Sequence, residues 1–205
     1  TLLNDKNDDE KVKEKFLKTM AKEATRMSTL VNDLLSLTRI ERIEHSPPNE
    51  KVDLVEIIKE VEQICIDRDL FKKIKCKFKI IKKKNEIIGD SPELKQVFLN
   101  IIENAVTHSN SKKTVIVKLE NVNSSVNFSV EDFGIGIPNE NIPLLTKRFY
   151  RVDEARSRNS GNTGLGLSIV KHIVNRHNAE LDISSIEGKG TKFSIMFNKD
   201  KPSLL

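Results

Sequence analysis

Two asparagines one helical turn apart are the residues of this 205-residue sequence whose types and spacing first suggest chemistry. Asn100 and Asn104 lie between Gln96 and Thr107, so a helix places their amides on one face. Apolar residues occupy the opposite side of the same segment. An amide oxygen is a hard ligand that suits Mg²⁺, which takes its remaining ligands from water and phosphates. The pattern indicates a magnesium–phosphate site, and a solvated polar stripe is the alternative.

Two glycine clusters follow this segment. The first contains Asp132, Gly134, Gly136 and Ile137 and comes directly after an alternating apolar strand. A carboxylate at a strand end, followed by Gly-x-Gly, can face a ligand with little steric cover, and Asp132 could accept a hydrogen bond from an exocyclic amine. The alternative is a surface turn with a solvated aspartate.

The second cluster, Gly161 to Leu167, opens a predicted helix. The free N–H groups and the dipole of a helix start favour an anion such as phosphate. A glycine-rich helix start without a ligand is the alternative. Neither cluster fits the G-x-G-x-x-G dinucleotide pattern, and Gly188-Lys189-Gly190 lacks the residues of a P-loop.

The elements that must position these residues alternate between helix and strand. Start signals predict helices from Asp53 to about Phe71 and from Asp90 to about His108, the second with Pro92 in its first turn. A further helix is predicted over 164–177. Strands are predicted in the lysine-rich segment around Lys75–Ile80 and over 114–119, 126–131, 181–184 and 192–197. This mixture predicts helices layered on one face of a mixed sheet.

Residues 1–43 carry a helical stripe of apolar side chains. Its members recur at steps of three and four, and we expect them to pack on other helices. We predict a polar turn over 4–9, with residues 1–3 as the end of a preceding helix. Pro47-Pro48 cannot continue a helix, so residues 44–50 are predicted to be a linker. The stripe consists of Val12, Phe16, Met20, Ala24, Met27, Val31, Leu34, Leu37 and Ile40.

Composition excludes several classes. The net charge is +5, but only 5% of residues are aromatic, which disfavours base stacking and a nucleic-acid partner. Lys75, Lys77 and Lys79 alternate with apolar residues, as in a strand with one solvated face. The two cysteines form no CxxC pair, which suits free thiols in a reducing compartment. No segment is long and apolar enough for a membrane span.

Taken together and in order, these elements resemble the ATP-binding domain of sensor histidine kinases. Residues 100–109 resemble the N box of that family, 132–137 the first glycine box and 148–153 the F box. Residues 161–167 resemble the second glycine box, and 188–193 the closing Gly-x-Gly-Thr-x-Phe element. Residues 1–43 resemble the end of the first helix and all of the second helix of the dimerisation and phosphotransfer domain, weakly of the phosphate-regulon type.

The resemblance implies an α+β fold, a two-layer α/β sandwich of the histidine kinase, gyrase and heat-shock type, preceded by a long helix. It divides the chain into a partial dimerisation and phosphotransfer domain (1–43), a linker (44–50) and an ATP-binding catalytic domain (51–200). The implied activity is transfer of the γ-phosphate of MgATP to a histidine, for relay to the receiver domain of a response regulator. The implied assembly is a homodimer formed through a helical bundle.

The same resemblance implies roles for individual residues. Asp132 would bind the adenine amine, with Thr191 supporting it through water. Asn104 would hold Mg²⁺, and the catalytic assignments are Asn100, near the phosphates, and Arg151, at the terminal phosphate. Residues 146–163 would form a mobile lid that Phe149 packs down. The full set of implied ATP contacts is Asn100, Asn104, Thr107, His108, Asp132, Gly134, Gly136, Ile137, Phe149, Arg151, Thr163, Gly164, Leu165, Gly166, Leu167 and Thr191.

Two departures from the family pattern qualify these expectations. Thr107 and His108 stand where the N box usually continues with a basic and an aromatic residue. None of the four histidines has the context of the phosphoaccepting box, so we expect this chain to hold the kinase half without its substrate histidine. We also expect a cytoplasmic fragment, with any anchor in the bacterial inner membrane supplied by segments outside it.

Two alternatives remain open. One is an ATPase of the same superfamily, although the position of its general-base glutamate holds Asn100, which cannot take a proton from water. The other is a module that binds nucleotide and protein partners without transferring phosphate.

Overall fold

A computed structural model describes residues 2–43, 46–72, 74–81, 83–110, 113–152 and 163–199. The helices are α1 (Leu2–Ile43), α2 (Leu54–Asp67), α3 (Ser91–His108) and α4 (Gly166–Arg176), with a 3₁₀ helix at Asn139–Leu144. The strands are β1 (Lys51–Asp53), β2 (Lys75–Ile80), β3 (Glu86–Ile88), β4 (Thr114–Val122), β5 (Ser125–Glu131), β6 (Glu180–Ile186) and β7 (Gly190–Asn198).

Five of these strands form one mixed sheet in the order β2-β4-β5-β7-β6. The β2–β4 pair is parallel and the other three pairs are antiparallel. Alternate residues of β4 and β7 are buried on the side where α2, α3 and α4 pack, and the five central residues of β5 are all buried. Phe98 of α3 marks that layer, since its ring lies 4.1 Å from the Phe128 ring and 6.2 Å from the Phe197 ring, measured between centroids. The predicted two-layer sandwich is confirmed.

Local capping explains where two helices begin. The Asp53 carboxylate accepts hydrogen bonds from the backbone N–H of Val55 and of Asn85, each at 3.0 Å, at the start of α2. The Asp90 carboxylate accepts from Glu93 N at 3.1 Å at the start of α3. Both satisfy N–H groups that have no partner inside the helix. Because these signals lie within a few residues of one another, both starts were predictable.

Three details of the predicted elements are wrong. Residues 4–9 continue α1 instead of forming a turn. They contain no Pro or Gly, and acidic side chains suit the first turns of a helix. Helix α2 ends at Asp67, four residues before the predicted end, and α4 begins at Gly166, two residues after the predicted start. A small antiparallel sheet of β1 and β3, with Val52 opposite Ile87, was not predicted.

Among residues 10–43, whose side chains the structure describes, helix α1 is buried only near its end. Phe16, Met20 and Met27 are more than half exposed, whereas Leu37 and Ile40 are each 2% exposed against α4 and the rest of the core. The Arg176 guanidinium of α4 donates to the carbonyl of Ile43 at 3.2 Å, which ties the end of α1 to the sandwich. Within the described residues, no helix combines the length and apolarity that crossing a membrane needs.

Candidate functional site

A cavity of about 410 Å³ lies where α3, the loop before α4 and the ends of β5 and β7 meet, with α1 along one side. Thirteen of the predicted site residues line it, and Gly134, Phe149 and Leu165 do not. The predicted residues that line it are Asn100, Asn104, Thr107, His108, Asp132, Gly136, Ile137, Arg151, Thr163, Gly164, Gly166, Leu167 and Thr191. Residues that are distant in sequence therefore meet in one place.

The polar face of α3 forms one wall of the cavity. Asn100 donates its Nδ2–H to the carbonyl of Gly166 at 3.2 Å, which links α3 to the start of α4. Glu103 also lines the wall and pairs with Arg68 at 3.1 Å. Burial raises the pKa of Glu103, and the charge of Asp33 on α1 adds to this rise against the lowering effect of Arg68. This wall therefore presents amides and carboxylates, and no cationic side chain.

Asp132 lies at the floor, directly after β5, and is 4% exposed. Its Oδ1 accepts a hydrogen bond from Gly134 N at 2.8 Å. Burial raises the pKa of Asp132, and hydrogen bonds from the backbone of Gly134 and Thr191 partly offset that rise. A buried carboxylate with little other protein contact is suited to receive an N–H group from a ligand.

Strand β7 carries a second polar group to the same floor. Thr191 is 5% exposed, and its hydroxyl lies 2.9 Å from the hydroxyl of Ser185 on β6. Ser185 in turn accepts a hydrogen bond from Ile137 N at 2.8 Å. The first glycine cluster is thereby fixed to the paired strands β6 and β7. Ser185 was not predicted, because nothing in its local sequence distinguishes it from other strand serines.

The glycines of the first cluster serve chain packing. A Cβ atom on Gly134 would lie 1.9 Å from the carbonyl oxygen of His108 at the end of α3. One on Gly136, where φ is +67°, would lie 2.2 Å from the carbonyl oxygen of Ile186. Both glycines let two backbone segments approach each other. Gly136 also lines the cavity, as predicted, whereas Gly134 acts on the site only through the position of Asp132.

The loop before α4 forms another part of the cavity lining. Leu165 occupies the N-cap position of α4 and offers no side-chain hydrogen bond to the first turn. The Thr163 hydroxyl accepts from Leu165 N at 3.2 Å, and Leu165 itself is 1% exposed. Gly164 and Gly166 line the cavity beside it. The N–H groups of a helix start and its positive dipole end favour a negatively charged group at this position.

Arg151 and His108 both line the cavity. The Nη2 atom of Arg151 is buried and has no hydrogen-bond partner among the described residues. Desolvation by the surrounding protein lowers the pKa of the His108 imidazole, although the residue as a whole is solvent-exposed, and the charge of Arg151 lowers it further. The Nη2 group of Arg151 therefore leaves a donor for an anionic ligand.

Phe149 does not line the cavity, and its side chain is 59% exposed. Its predicted role in packing a lid stays a prediction. Its backbone has φ of 61°, and its N–H donates to the carbonyl of Gly164 at 3.0 Å. This bond fixes the backbone of Phe149 against the loop before α4. Residues 153–162 of the predicted lid lie outside the described residues.

Several cavity residues were missed. Thr29 and Asp33 belong to α1, which the sequence assigned to a different domain, and Asp33 accepts a hydrogen bond from the Thr163 hydroxyl at 2.6 Å. Neither residue could be singled out from the sequence, because helical spacing does not distinguish them from other polar residues of α1. Glu103 was not among the predicted site residues either. The other missed lining residues are Ile135, Leu145, Tyr150, Val152 and Phe193.

A family model described as "Histidine kinase-, DNA gyrase B-, and HSP90-like ATPase" matches residues 89–201. This range covers more than half of the chain and includes α3, both glycine clusters and β7. The chain belongs to this ATPase family. The fold class predicted from the sequence and the ATP-binding type of the domain are thereby confirmed.

Within this ATPase family, the relatives are sensor kinases. The phosphate regulon sensor protein PhoR of Pseudomonas aeruginosa is 35% identical over 185 residues, which are 88% of this chain and 41% of PhoR. Sensor protein kinase WalK of Staphylococcus aureus is 36% identical over 191 residues, 91% of this chain and 45% of that protein. The chain thus spans less than half the length of these relatives. Both names agree with the predicted sensor kinase family, and PhoR agrees with the phosphate-regulon resemblance.

A solved structure agrees with this assignment. The mycobacterial sensor histidine kinase MprB matches with a TM-score of 0.62 and 28% identity, over 73% of this chain and 97% of that one. Among the described residues of this family member, no group of three or more His, Cys, Asp or Glu could hold a metal ion by itself.

Proposed function

We propose that this chain is the catalytic ATP-binding region of a sensor histidine kinase, which transfers the γ-phosphate of MgATP to a histidine for relay to a response regulator. One observation carries the proposal: a single cavity contains a buried carboxylate, a helix start without a side-chain cap and an arginine with an unpaired nitrogen. The carboxylate can bind the base of the nucleotide, the helix start can bind the phosphates, and the arginine can bind the γ-phosphate that is transferred.

The buried carboxylate fits the base of the nucleotide. Asp132 accepts only backbone N–H groups, so its carboxylate can also accept the exocyclic amine of adenine. Thr191, whose hydroxyl lies 2.9 Å from that of Ser185, would hold the water that accompanies this contact. Guanine presents a carbonyl oxygen at the corresponding position, and a carboxylate would repel it. This difference favours adenine nucleotides.

The phosphates of the nucleotide fit the loop before α4 and the side chain of Arg151. Residues Thr163 to Leu167 would receive them at the start of α4, and Arg151 would contact the terminal phosphate. Asn100 uses its Nδ2 in the bond to Gly166, so this bond leaves its amide oxygen available. Asn104 lines the cavity one helical turn away. Oxygen donors without a cluster of acidic ligands fit Mg²⁺ held jointly with phosphates, as predicted for Asn104. Bound Mg²⁺ would neutralise phosphate charge as the phosphoryl group moves.

Hydrolysis of ATP is less well supported. Asn100 holds the position where related hydrolases carry a general-base glutamate, and an amide cannot accept the proton of an attacking water. Glu103 is the carboxylate nearest to it in sequence on α3, and it is engaged by Arg68. These side chains favour transfer to a histidine over transfer to water. The same chain without a histidine substrate would act only as a nucleotide-binding module.

The nucleotide site is tested by isothermal calorimetry. We expect MgADP to bind, and Asp132→Asn to weaken it by roughly 10- to 100-fold, since a hydrogen bond to a charged group contributes about 1.5–3 kcal/mol. Guanosine diphosphate is the matched ligand control and should bind poorly to both proteins. Equal affinity of the two proteins for MgADP would contradict the role of Asp132. Addition of a metal chelator tests whether Mg²⁺ contributes.

Transfer is tested separately with a second protein. A domain that carries a phosphoaccepting histidine of a sensor kinase is mixed with this chain and labelled ATP, and the label is followed into the histidine. We expect labelling in wild type and a large loss in Arg151→Ala. Release of inorganic phosphate without labelling would favour the hydrolase alternative. Homodimerisation, a response-regulator partner and a membrane anchor in the intact protein belong to the same proposal.

A further inference from the structure

Helix α1 closes one side of the cavity. Thr29 and Asp33 are its lining residues, although α1 precedes the nucleotide-binding domain and lies outside the matched family range. Phosphate ligands are negatively charged, so a carboxylate at this wall does not assist their binding directly. Asp33 therefore needs an explanation other than a general contribution to affinity.

The Asp33 carboxylate is bound to the phosphate loop. The Thr163 hydroxyl donates to Asp33 Oδ2 at 2.6 Å, and the same hydroxyl accepts from Leu165 N at 3.2 Å. Two hydrogen bonds thus connect Leu165 N, at the N-cap of α4, through the Thr163 hydroxyl to the Asp33 carboxylate of α1. A phosphate oxygen placed here would need the same hydroxyl proton. Asp33 and a phosphate are competitors for one donor.

The position of Asp33 is fixed by a built interface. Leu37, one turn further along α1, is 2% exposed, and Ser36 donates to Gln96 of α3 at 3.0 Å. Glu41 forms an ion pair with Arg148, which follows the 3₁₀ helix. These contacts come from three separate elements of the catalytic domain. The carboxylate is therefore held at the cavity wall by the docking of α1 as a whole.

We propose that Asp33 is a nucleotide-discriminating residue, which disfavours a nucleotide with a terminal γ-phosphate relative to one that ends at the β-phosphate while α1 is docked. This rests on the proposed nucleotide site. MgATP carries one more negative charge than MgADP, so repulsion by Asp33 and the adjacent carboxylate of Glu103 is larger for MgATP. The longer MgATP therefore brings more phosphate charge beside Asp33 than MgADP does, weakens the Asp33–Thr163 bond further and loosens α1 more from the phosphate loop.

The test compares two nucleotides on matched variants of the full chain. Affinities for MgADP and for a non-hydrolysable MgATP analogue are measured by calorimetry for wild type, Asp33→Asn and Glu23→Gln. Glu23→Gln removes the same charge from an exposed position of α1 whose ion pair is with Arg26 on the same helix. We expect Asp33→Asn to raise the ratio of analogue to MgADP affinity about fivefold, and Glu23→Gln to leave it unchanged.

A second readout follows the docking of α1. Hydrogen exchange of the amides in residues 30–40 should be faster with the MgATP analogue than with MgADP in wild type, and equal in Asp33→Asn. Salt should reduce the difference in affinity, because the cavity is open to solvent. An unchanged affinity ratio in Asp33→Asn, or weaker analogue binding, would overturn the inference. Failure of both nucleotides to bind wild type would instead refute the nucleotide site, and the inference with it.

Discussion

Arg176 offers the sharpest test of how the sandwich is held together. Its side chain is 8% exposed and donates to Glu93 Oε2 at 2.6 Å and to the carbonyls of Ile43 and Ser46 at 3.2 and 2.9 Å. The side chain of Glu93 is 10% exposed. Arg176→Ala leaves this carboxylate buried without its partner and releases the end of α1. Breaking a buried ion pair in this way costs about 3–5 kcal/mol.

Such a loss is a large part of the total stability of a domain, which is about 5–15 kcal/mol. For a chain of this size it corresponds to a fall of roughly 10 °C in melting temperature. The assay is urea unfolding at pH 7.5, followed by circular dichroism. Arg26→Ala is the matched control, since Arg26 pairs with Glu23 on the exposed part of α1. We expect this control to change the free energy of unfolding by less than about 0.5 kcal/mol.

The pH dependence gives the prediction a sign. Burial raises the pKa of Glu93, and the charge and hydrogen bond of Arg176 oppose that rise. Without Arg176 the pKa of Glu93 rises further in the folded state. A carboxyl group with a raised folded pKa takes up a proton on folding, so the deficit is full above that pKa and shrinks as pH falls through it. The deficit of Arg176→Ala should therefore be smaller at pH 5 than at pH 7.5.

Two results would refute this account. A deficit below about 1 kcal/mol at pH 7.5 would mean that Glu93 is not held buried and charged by Arg176. A deficit that grows as pH falls would mean that another group controls the linkage. Glu93→Gln in the Arg176→Ala background checks the cause, because removing the unpaired charge should recover part of the lost stability.

Two further predictions concern backbone contact and assembly. Gly134→Ala places a Cβ atom 1.9 Å from the His108 carbonyl oxygen and should lower the free energy of unfolding by more than about 3 kcal/mol. Gly188→Ala is the control: its Cβ meets no atom within 4 Å, and its φ of +76° should cost only about 1 kcal/mol. Thermal unfolding of the two variants measures the difference. The exposed apolar side chains of α1 should make the chain self-associate, and the double variant Phe16→Glu with Met20→Glu should be monomeric by light scattering; a monomeric wild type would contradict this.

The parts of the fold that sequence could predict depend on short-range signals. Asp53 and Asp90 identify two helix starts because a capping side chain acts within three residues of itself. Alternation identifies β2, where Lys75, Lys77 and Lys79 are exposed as expected. The amide face of α3 follows from helical spacing. For each of these features, the residues that form the sequence pattern are also the residues that stabilise the structure, and both lie in the same segment of the chain.

Other features depend on contacts between distant segments. Strands β1 and β3 have three residues each and stabilise each other across the whole of α2, so neither shows a pattern of its own. Gly134 is required by the His108 carbonyl, 26 positions earlier in the sequence. Asp33 reaches the cavity only because the end of α1 docks on α4. The sequence motifs therefore predicted residues of the cavity floor and of the loop before α4, but not the wall that α1 provides.

The position of β7 in the sheet also determines when the site can exist during synthesis. Strand β7 follows β6 in sequence but lies between β5 and β6, pairing with Phe128 on one side and Leu181 on the other through Ile195. A growing chain that has been translated only through β6 has no neighbour for that strand and lacks Thr191 at the cavity floor. The floor of the cavity is therefore incomplete until β7 has emerged and pairs with both β5 and β6.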